Sequence, residues 1–269
     1  MKLVTTPTYE WLSESLAACR SRFLVASPYV GSILPQLINR LTLGVATTLL
    51  TRTDLRDFAA GASDIAAVCA TCKAGASILS TGRLHAKVYV IDGNRALITS
   101  ANATHGGMFR NLEFGVVLDD ETHVEIVATT LLSGFGAAQT PQEWKLDDLE
   151  RLREPVSMLR ERIPAVRLFS PQDEQRPSLQ IDPEVHASLI AGLPKWGQLT
   201  LRGVLSLPED EFSIDDFYRI CLPAALKQFP RNRFPREKLR QQLQRLRDLG
   251  IVDFLGAGRY RRLITVPDV

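Results

Sequence analysis

Two apolar runs on either side of a short turn constrain this chain more than any other feature. Leu84-His85-Ala86-Lys87-Val88-Tyr89-Val90-Ile91 precedes Asp92-Gly93-Asn94, and Ile98-Thr99-Ser100-Ala101-Asn102 lies beyond it. Runs of this composition around an Asp-Gly turn specify a β-hairpin. Strand side chains alternate faces, so His85 shares a face with Lys87, and Ser100 shares one with Asn102. If those faces coincide, an imidazole, an ammonium, a hydroxyl and an amide converge. That set suits a phosphate: lysine and amide donors hold non-bridging oxygens, and imidazole attacks phosphorus. A third run, Leu112-Glu113-Phe114-Gly115-Val116-Val117-Leu118, alternates as a strand. It sets Glu113 opposite its apolar residues, available to orient an imidazole N–H.

The rest of the first half alternates in type. Helical spacing runs from Tyr9 to Arg20, Ile33 to Leu41, Asp54 to Ala74 and Asp119 to Leu132. Short apolar strands lie at Phe23–Ala26, Val45–Leu50 and Ala76–Leu79. Asp54 reads as an N-cap and Gly75 as a helix stop. The pattern predicts an α/β sandwich. At 269 residues the chain has room for one large or two modest domains. Its 45% hydrophobic and 23% charged content is that of a soluble globular protein. No apolar run reaches membrane-span length, and Met1-Lys2-Leu3-Val4-Thr5-Thr6-Pro7 lacks a signal peptide's apolar core, so a cytoplasmic protein without membrane contact is expected. Four cysteines make no disulfide framework, and Cys69-Ala70-Thr71-Cys72 reads as ordinary buried thiols.

His85-x-Lys87, four residues, then Asp92 resembles the HxK(x)4D signature of the phospholipase D superfamily. Ser100-Ala101-Asn102 is similar to the second half of that signature, and Glu113 stands where small bacterial nucleases of the superfamily carry a glutamate. Thr99 departs from the pattern, which has glycine there. The resemblance covers about residues 8–135, with its specific part in 84–118. It implies a phospholipase D-like α/β sandwich in which His85, Lys87, Ser100, Asn102 and Glu113 are catalytic. Asp92 has the wrong parity to join His85 and Lys87 and reads as a turn or supporting residue. His105 lies in the Gly-rich loop Thr104-His105-Gly106-Gly107, and Arg83 and Arg110 flank the site.

Only one HxK is present: His105, His123 and His186 are followed two residues on by Gly107, Glu125 and Ser188. The superfamily's chemistry uses two imidazoles, one attacking phosphorus and one protonating the leaving oxygen. The resemblance therefore implies a homodimer that shares one active site across a two-fold axis, a phosphohistidine intermediate, and no metal or cofactor.

Residues 141–195 read as a helical and proline-rich linker, between a catalytic domain at 1–140 and a further domain at 196–269. In the last segment, Ser213 to Lys227 reads as a helix capped by Ser213. Pro235 to Leu249 is the clearest helix, started by Pro235, stopped by Gly250 and striped by Leu239, Leu243, Leu246 and Leu249. A hairpin follows through Gly256-Ala257-Gly258. The order is that of a winged helix, and residues 196–265 are similar to the C-terminal winged-helix module of some methyl-directed restriction endonucleases. Between Arg219 and Arg262, twelve basic side chains against three acidic ones leave nine positive charges, although the whole chain carries only +2. The candidate DNA contacts are Arg236, Arg240, Gln241, Gln244 and Arg247 on the helix and Arg259, Arg261 and Arg262 on the wing.

Together these features predict a metal-independent endodeoxyribonuclease, used in restriction or phage defence, with DNA as partner and room for a companion methyltransferase or helicase. Two other classes are distinguishable. A lipid-acting phosphodiesterase or transferase would carry a membrane-binding apolar segment, which the sequence lacks. A non-enzymatic DNA-binding regulator would have lost His85 or Lys87, and both are intact.

Overall fold

The computed structural model describes residues 2–133, 140–163 and 178–266. The chain divides into two compact units, one of residues 1–53 and 61–149, the other of residues 54–60 and 150–269.

The first unit is built on one mixed sheet of order β1-β7-β6-β5-β2-β3-β4-β8. Its strands are β1 (Lys2–Thr5), β2 (Arg22–Ala26), β3 (Ala46–Thr51), β4 (Ser77–Ser80), β5 (Val88–Ile91), β6 (Arg95–Thr99), β7 (Phe114–Leu118) and β8 (Gln142–Trp144). β2, β3 and β4 run parallel, joined by helical crossovers, whereas β5, β6 and β7 form the expected antiparallel meander. The turn between β5 and β6 is tight, with Asp92 and Gly93 both at positive φ (52° and 75°). Leu24, Ala26, Val88, Val90 and Ala96 face one side, where they pack with Val124, Ala128 and Leu131 of α5 (Glu121–Ser133). The alternating partners Phe23, Val25, Leu49, Tyr89 and Leu97 face the other side and are fully buried too. That second side belongs with α1 (Thr8–Ala17), α2 (Ile33–Ile38) and α4 (Ile65–Lys73), whose Leu12, Leu34, Leu37 and Val68 are buried. A sheet covered on both faces is the expected α/β sandwich.

The helix expected over Asp54–Ala74 is two. Asp54 caps α3 (Leu55–Ala59), accepting from Arg56 N–H at 2.9 Å, and Asp64 caps α4, accepting from Ala66 N–H at 2.8 Å. Gly61 at φ +77° breaks the run between them. α3 belongs to the second unit, where Leu55 N–H donates to the Leu249 carbonyl at 3.2 Å and the Arg56 guanidinium donates to that of Leu263 at 2.8 Å.

The segment 141–195 holds more regular structure than its prolines suggest. Besides β8 it forms α6 (Leu146–Glu150), α7 (Arg153–Arg162), β9 (Leu179–Gln180) and α8 (Pro183–Gly192). Pro183 takes the first position of α8 behind the Asp182 cap, and Pro194 caps α9 (Lys195–Leu205); prolines there start helices rather than break them. Pro164, Pro171 and Pro177 lie outside the described residues.

The second unit closes with β10 (Glu211–Ser213), α10 (Ile214–Gln228), α11 (Pro235–Asp248), β11 (Val252–Gly256), β12 (Arg259–Arg262) and β13 (Ile264–Thr265). Ser213 and Asp216 form a full capping box at the start of α10. Leu239, Leu243, Leu246 and Leu249 are all buried, so the apolar stripe of α11 is its core face. β10 adds to the β11–β12 hairpin, giving a three-stranded wing.

Candidate active site and DNA-reading module

Antiparallel pairing sets the residues of the motif at one end of the sheet. His85 and Lys87 precede β5, Ser100 and Asn102 follow β6, and Glu113 precedes β7. They stand just beyond the strands rather than within them. The ladder continues past the ends, however: Thr99 N–H donates to the Lys87 carbonyl at 3.0 Å, and Ser100 N–H donates to that of Phe114 at 3.0 Å. This is the register that aligns the three segments. Thr99, the departure from the signature, faces Gly115 across the ladder. A Cβ on Gly115 would sit 2.8 Å from the Thr99 Cβ, so the glycine opposite provides the space that the threonine takes.

Lys87 Nζ donates to the main-chain oxygen of His85 at 2.8 Å. Burial lowers the pKa of the His85 imidazole, and the positive charges of Lys87 and Arg52 push the same way. The Lys87 ammonium is also lowered, by burial and by Arg52, against the opposing carboxylate of Glu113. Imidazole held neutral below its usual range is a nucleophile in the required protonation state. Ser100 Oγ accepts from Phe114 N–H at 3.1 Å and donates to the Glu113 carboxylate, which also accepts from Asn111 Nδ2 at 3.2 Å. Asn102 Oδ1 is buried with no hydrogen-bond partner among the described residues.

One expectation changes, and one residue joins the site. Glu113 was expected to orient an imidazole; within this chain its carboxylate is held by Ser100 and Asn111 instead, and no described residue hydrogen-bonds the His85 ring. Arg52 was missed. It lies one residue beyond β3, at the carboxyl end of a parallel strand, where α/β sheets gather ligand-binding groups. Its side chain is buried, its guanidinium sits 5.8 Å from the Tyr29 ring, and its field reaches both His85 and Lys87. The strand-end position was the available signal.

Asp92 is remote from this chemistry. Its carboxylate accepts the backbone N–H groups of Arg20, Ser21 and Arg22 at 2.7–3.1 Å and the Ser21 hydroxyl at 2.8 Å. Burial alone would raise its pKa, but these donors hold it well below the usual carboxylate range. Asp92 thus pins the hairpin turn to the start of β2. Beside it, burial and the Asp92 carboxylate push the Cys19 thiol up to about 11. Cys69 is buried and Cys72 is half-buried, and neither forms a disulfide.

The eight candidate DNA contacts separate into two groups. Arg236 and Arg240 are exposed on α11, and Gln241 and Gln244 are half-buried beside them. The Arg236 guanidinium lies 5.2 Å from the Tyr218 ring, and Gln241 accepts from Lys238 Nζ at 2.8 Å. Arg259 is exposed and pairs with Glu211 at 2.8 Å. The others are drawn inward. Arg247 pairs with the fully buried Asp248 at 2.8 Å, and Arg261 meets Asp253 at 3.5 Å across the hairpin. Arg262, with a side chain only 12% exposed, holds Asp210 at 2.7 Å and donates to the carbonyls of Val204, Leu205 and Leu207. It satisfies the open carbonyls at the end of α9, so it clasps the wing to that helix and is not presented to phosphate. Among the described residues no helix is long and apolar enough to cross a membrane.

Comparison with known proteins places names on both parts. Residues 12–132 match the family "Cardiolipin synthase, PLD-like domain", and residues 194–262 match the "Dam-replacing HTH domain". Among solved structures, the chain is similar to the phospholipase D family member Nuc from Salmonella typhimurium (16% identity, TM-score 0.44), with 54% of this chain and 97% of that one covered. NucT from Helicobacter pylori has 15% identity and a TM-score of 0.41 over 48% of this chain and 91% of its own. Phosphatidylserine synthase from Haemophilus influenzae Rd KW20 has 14% identity and a TM-score of 0.45 over 56% of this chain and 40% of its own. With the motif gathered at one end of the sheet and a helix-helix-wing module following in sequence, the chain carries a phospholipase D-like domain, of the phosphodiesterase superfamily, and a C-terminal winged-helix DNA-binding domain.

Proposed function

We propose that this protein is a metal-independent endodeoxyribonuclease of restriction or phage defence, working as a homodimer with one shared active site. The observation that carries the reading is the convergence of His85, Lys87, Ser100, Asn102 and Glu113 at one end of the sheet in a chain that also carries a DNA-binding module. In the proposed reaction the neutral His85 imidazole attacks phosphorus, forming an N–P bond as the P–O bond to the leaving strand breaks. The departing oxygen takes a proton from the matching His85 of a second copy, which enters the step as imidazolium and leaves it as neutral imidazole. Water then gives its proton to that imidazole as it attacks the phosphohistidine, and the N–P bond breaks to release the 5′- or 3′-phosphorylated strand and the neutral nucleophile, with the acid restored. Lys87 and Asn102 stabilise the charge that grows on the non-bridging oxygens, and Ser100, which donates to Glu113, holds that carboxylate in place.

A dimer is supported by the lone HxK and by an apolar surface beside the site. Leu3, Val116 and Ile98 are in register on one face of β1, β7 and β6, with Leu3 55% and Ile98 41% exposed. Phe114 (57% exposed) and Leu112 (99%) flank Glu113. Apolar side chains grouped this way mark a contact surface. In this reading the His85 imidazole is the nucleophile and the Lys87 ammonium the counter-charge, so the proposed reaction calls on no metal. A companion methyltransferase or helicase is the partner that a restriction role implies.

The test is incubation of the pure protein with modified and unmodified plasmid DNA in EDTA. Cleavage in EDTA that discriminates between the two plasmids supports the reading. Cleavage that requires added Mg²⁺ defeats the mechanism, and absence of cleavage in either condition defeats the nuclease assignment.

A further inference from the structure

Beside the catalytic end of the sheet, three rings form a ladder. His105 and Phe109 have centroids 4.8 Å apart at 42°, and Phe109 and Tyr9 have centroids 4.6 Å apart at 35°. Arg40 continues the row, donating from Nη1 to the Tyr9 hydroxyl at 2.6 Å with its guanidinium 6.0 Å from that ring. Both ends of the ladder are rooted in the site. His105 is three residues past Asn102, and Thr104 N–H donates to the Asn102 carbonyl at 2.8 Å. Tyr9 is three residues past Thr6, whose hydroxyl accepts from Glu113 N–H at 2.8 Å.

The ladder is also held firmly. His105 and Phe109 start and line a π-helical turn over Gly106–Arg110, a rare conformation that recurs at functional sites. That turn presses on the catalytic loop through Gly107: a Cβ there would stand 2.4 Å from the Asn102 carbonyl oxygen and 2.7 Å from its nitrogen, so no side chain fits. Gly31 N–H donates to the Ala103 carbonyl at 2.8 Å and fixes the same loop from the other side. His105 is exposed, its ring tilted against Phe109, and no other aromatic ring lies against it among the described residues. Tyr9 and Phe109 are half-buried, so the ladder runs from the protein body out to His105 in solvent.

We propose that His105, backed by Phe109 and Tyr9, is a stacking site for an unpaired nucleobase of the DNA strand being cut, with Arg40 available to an adjoining phosphate. This rests on the nuclease reading above and deepens it. Any base has a π face, so the site would hold the strand without reading its sequence. A base drawn from its duplex onto His105 would bring its strand against the loop that carries Asn102.

The experiment compares two small diesters with one leaving group: thymidine 5′-(p-nitrophenyl phosphate), which carries a base, and methyl p-nitrophenyl phosphate, which does not. Wild-type protein should favour the nucleoside ester in KM by roughly 5- to 150-fold, the range of one base stacked on an aromatic ring. His105→Ala should remove most of that preference with little change in kcat or in the methyl ester's kinetics. His105→Phe should retain it, and Phe109→Leu, which keeps an apolar filler, should reduce it. Calorimetric titration with thymidine 5′-monophosphate and methyl phosphate reads the same preference without turnover. No preference in the wild type, or a preference that survives in both His105→Ala and Phe109→Leu, overturns the stacking site. Failure of the wild type to hydrolyse either ester, with the monophosphate preference still present and lost in His105→Ala, overturns the nuclease reading and leaves the stacking site standing.

Discussion

The Lys87 ammonium reaches back to the main-chain oxygen of His85 at 2.8 Å, so the two residues of the HxK motif are tied by a hydrogen bond as well as by spacing. The bond holds the cation beside the backbone of the nucleophile. Lys87→Ala is expected to cost on the order of 10²-fold or more in cleavage rate, the effect of removing one preorganised donor from a developing charge. His85→Ala is expected to abolish cleavage while leaving the thermal transition and DNA binding intact, because the winged helix is untouched. Plasmid cleavage and gel-shift assays on the two variants check both. Residual turnover by His85→Ala at wild-type rate would remove His85 from the mechanism.

Three influences keep the His85 imidazole neutral below the ordinary histidine range: burial, Lys87 and Arg52. A nucleophile must be deprotonated, so the acid limb of kcat/KM is expected below the usual histidine pKa. Arg52→Gln removes one positive neighbour, which favours the protonated ring and moves the limb to higher pH. Arg52→Lys keeps the charge and should keep the limb nearer the wild-type position. A pH–rate series on the three proteins measures this, and coincident limbs would show that Arg52 does not act on His85.

Asp92 is held ionised by three backbone N–H groups and a hydroxyl against the pull of burial. Its folded pKa is depressed, so its contribution is complete above the unfolded carboxylate value and is lost as pH falls through the folded one. Asp92→Asn is expected to destabilise the fold by on the order of 2 kcal/mol at neutral pH, the scale of lost charge-assisted hydrogen bonds. The deficit should shrink in acid. Urea denaturation at several pH values tests this, and a deficit independent of pH would assign the loss to packing instead.

Leu112 and Phe114 offer apolar surface on both sides of Glu113. Phe114→Arg is expected to push the protein toward monomer and to lower cleavage in proportion. Light scattering and activity across a dilution series measure both. A monomer with full activity would sink the shared site.

The arginines of the DNA module are expected to behave as their surroundings differ. Arg240, exposed on α11, should discriminate bases, so Arg240→Ala should relax sequence preference by roughly 1–3 kcal/mol. Arg259→Ala should weaken all duplexes alike and flatten the salt dependence. Arg262→Ala should instead lower the thermal transition, because its guanidinium closes the end of α9. Binding to related duplexes at two salt concentrations, with melting curves, separates the three. Uniform weakening by Arg240→Ala would show that α11 is not the reader.

What the sequence determined by itself was short in range. The Asp92-Gly93-Asn94 turn, the parity of His85 with Lys87, the Ser213 cap and the leucine stripe of α11 all depend on residues within a turn or a strand of each other. Periodicity and turn chemistry are set at that distance, so they could be read directly. Tertiary structure decided the rest through residues far apart in the chain. Arg52 joins His85 because β3 and β5 both border β2 in the sheet. The ladder arises because Tyr9 and Phe109, a hundred positions apart, meet where β1 pairs with β7. Arg262 looked like an unpaired cation in a basic stretch, and folding gave it Asp210, 52 positions away. Charge along a chain shows how many cations there are, but only packing shows which are already neutralised, because an ion pair depends on distance in space and not along the sequence.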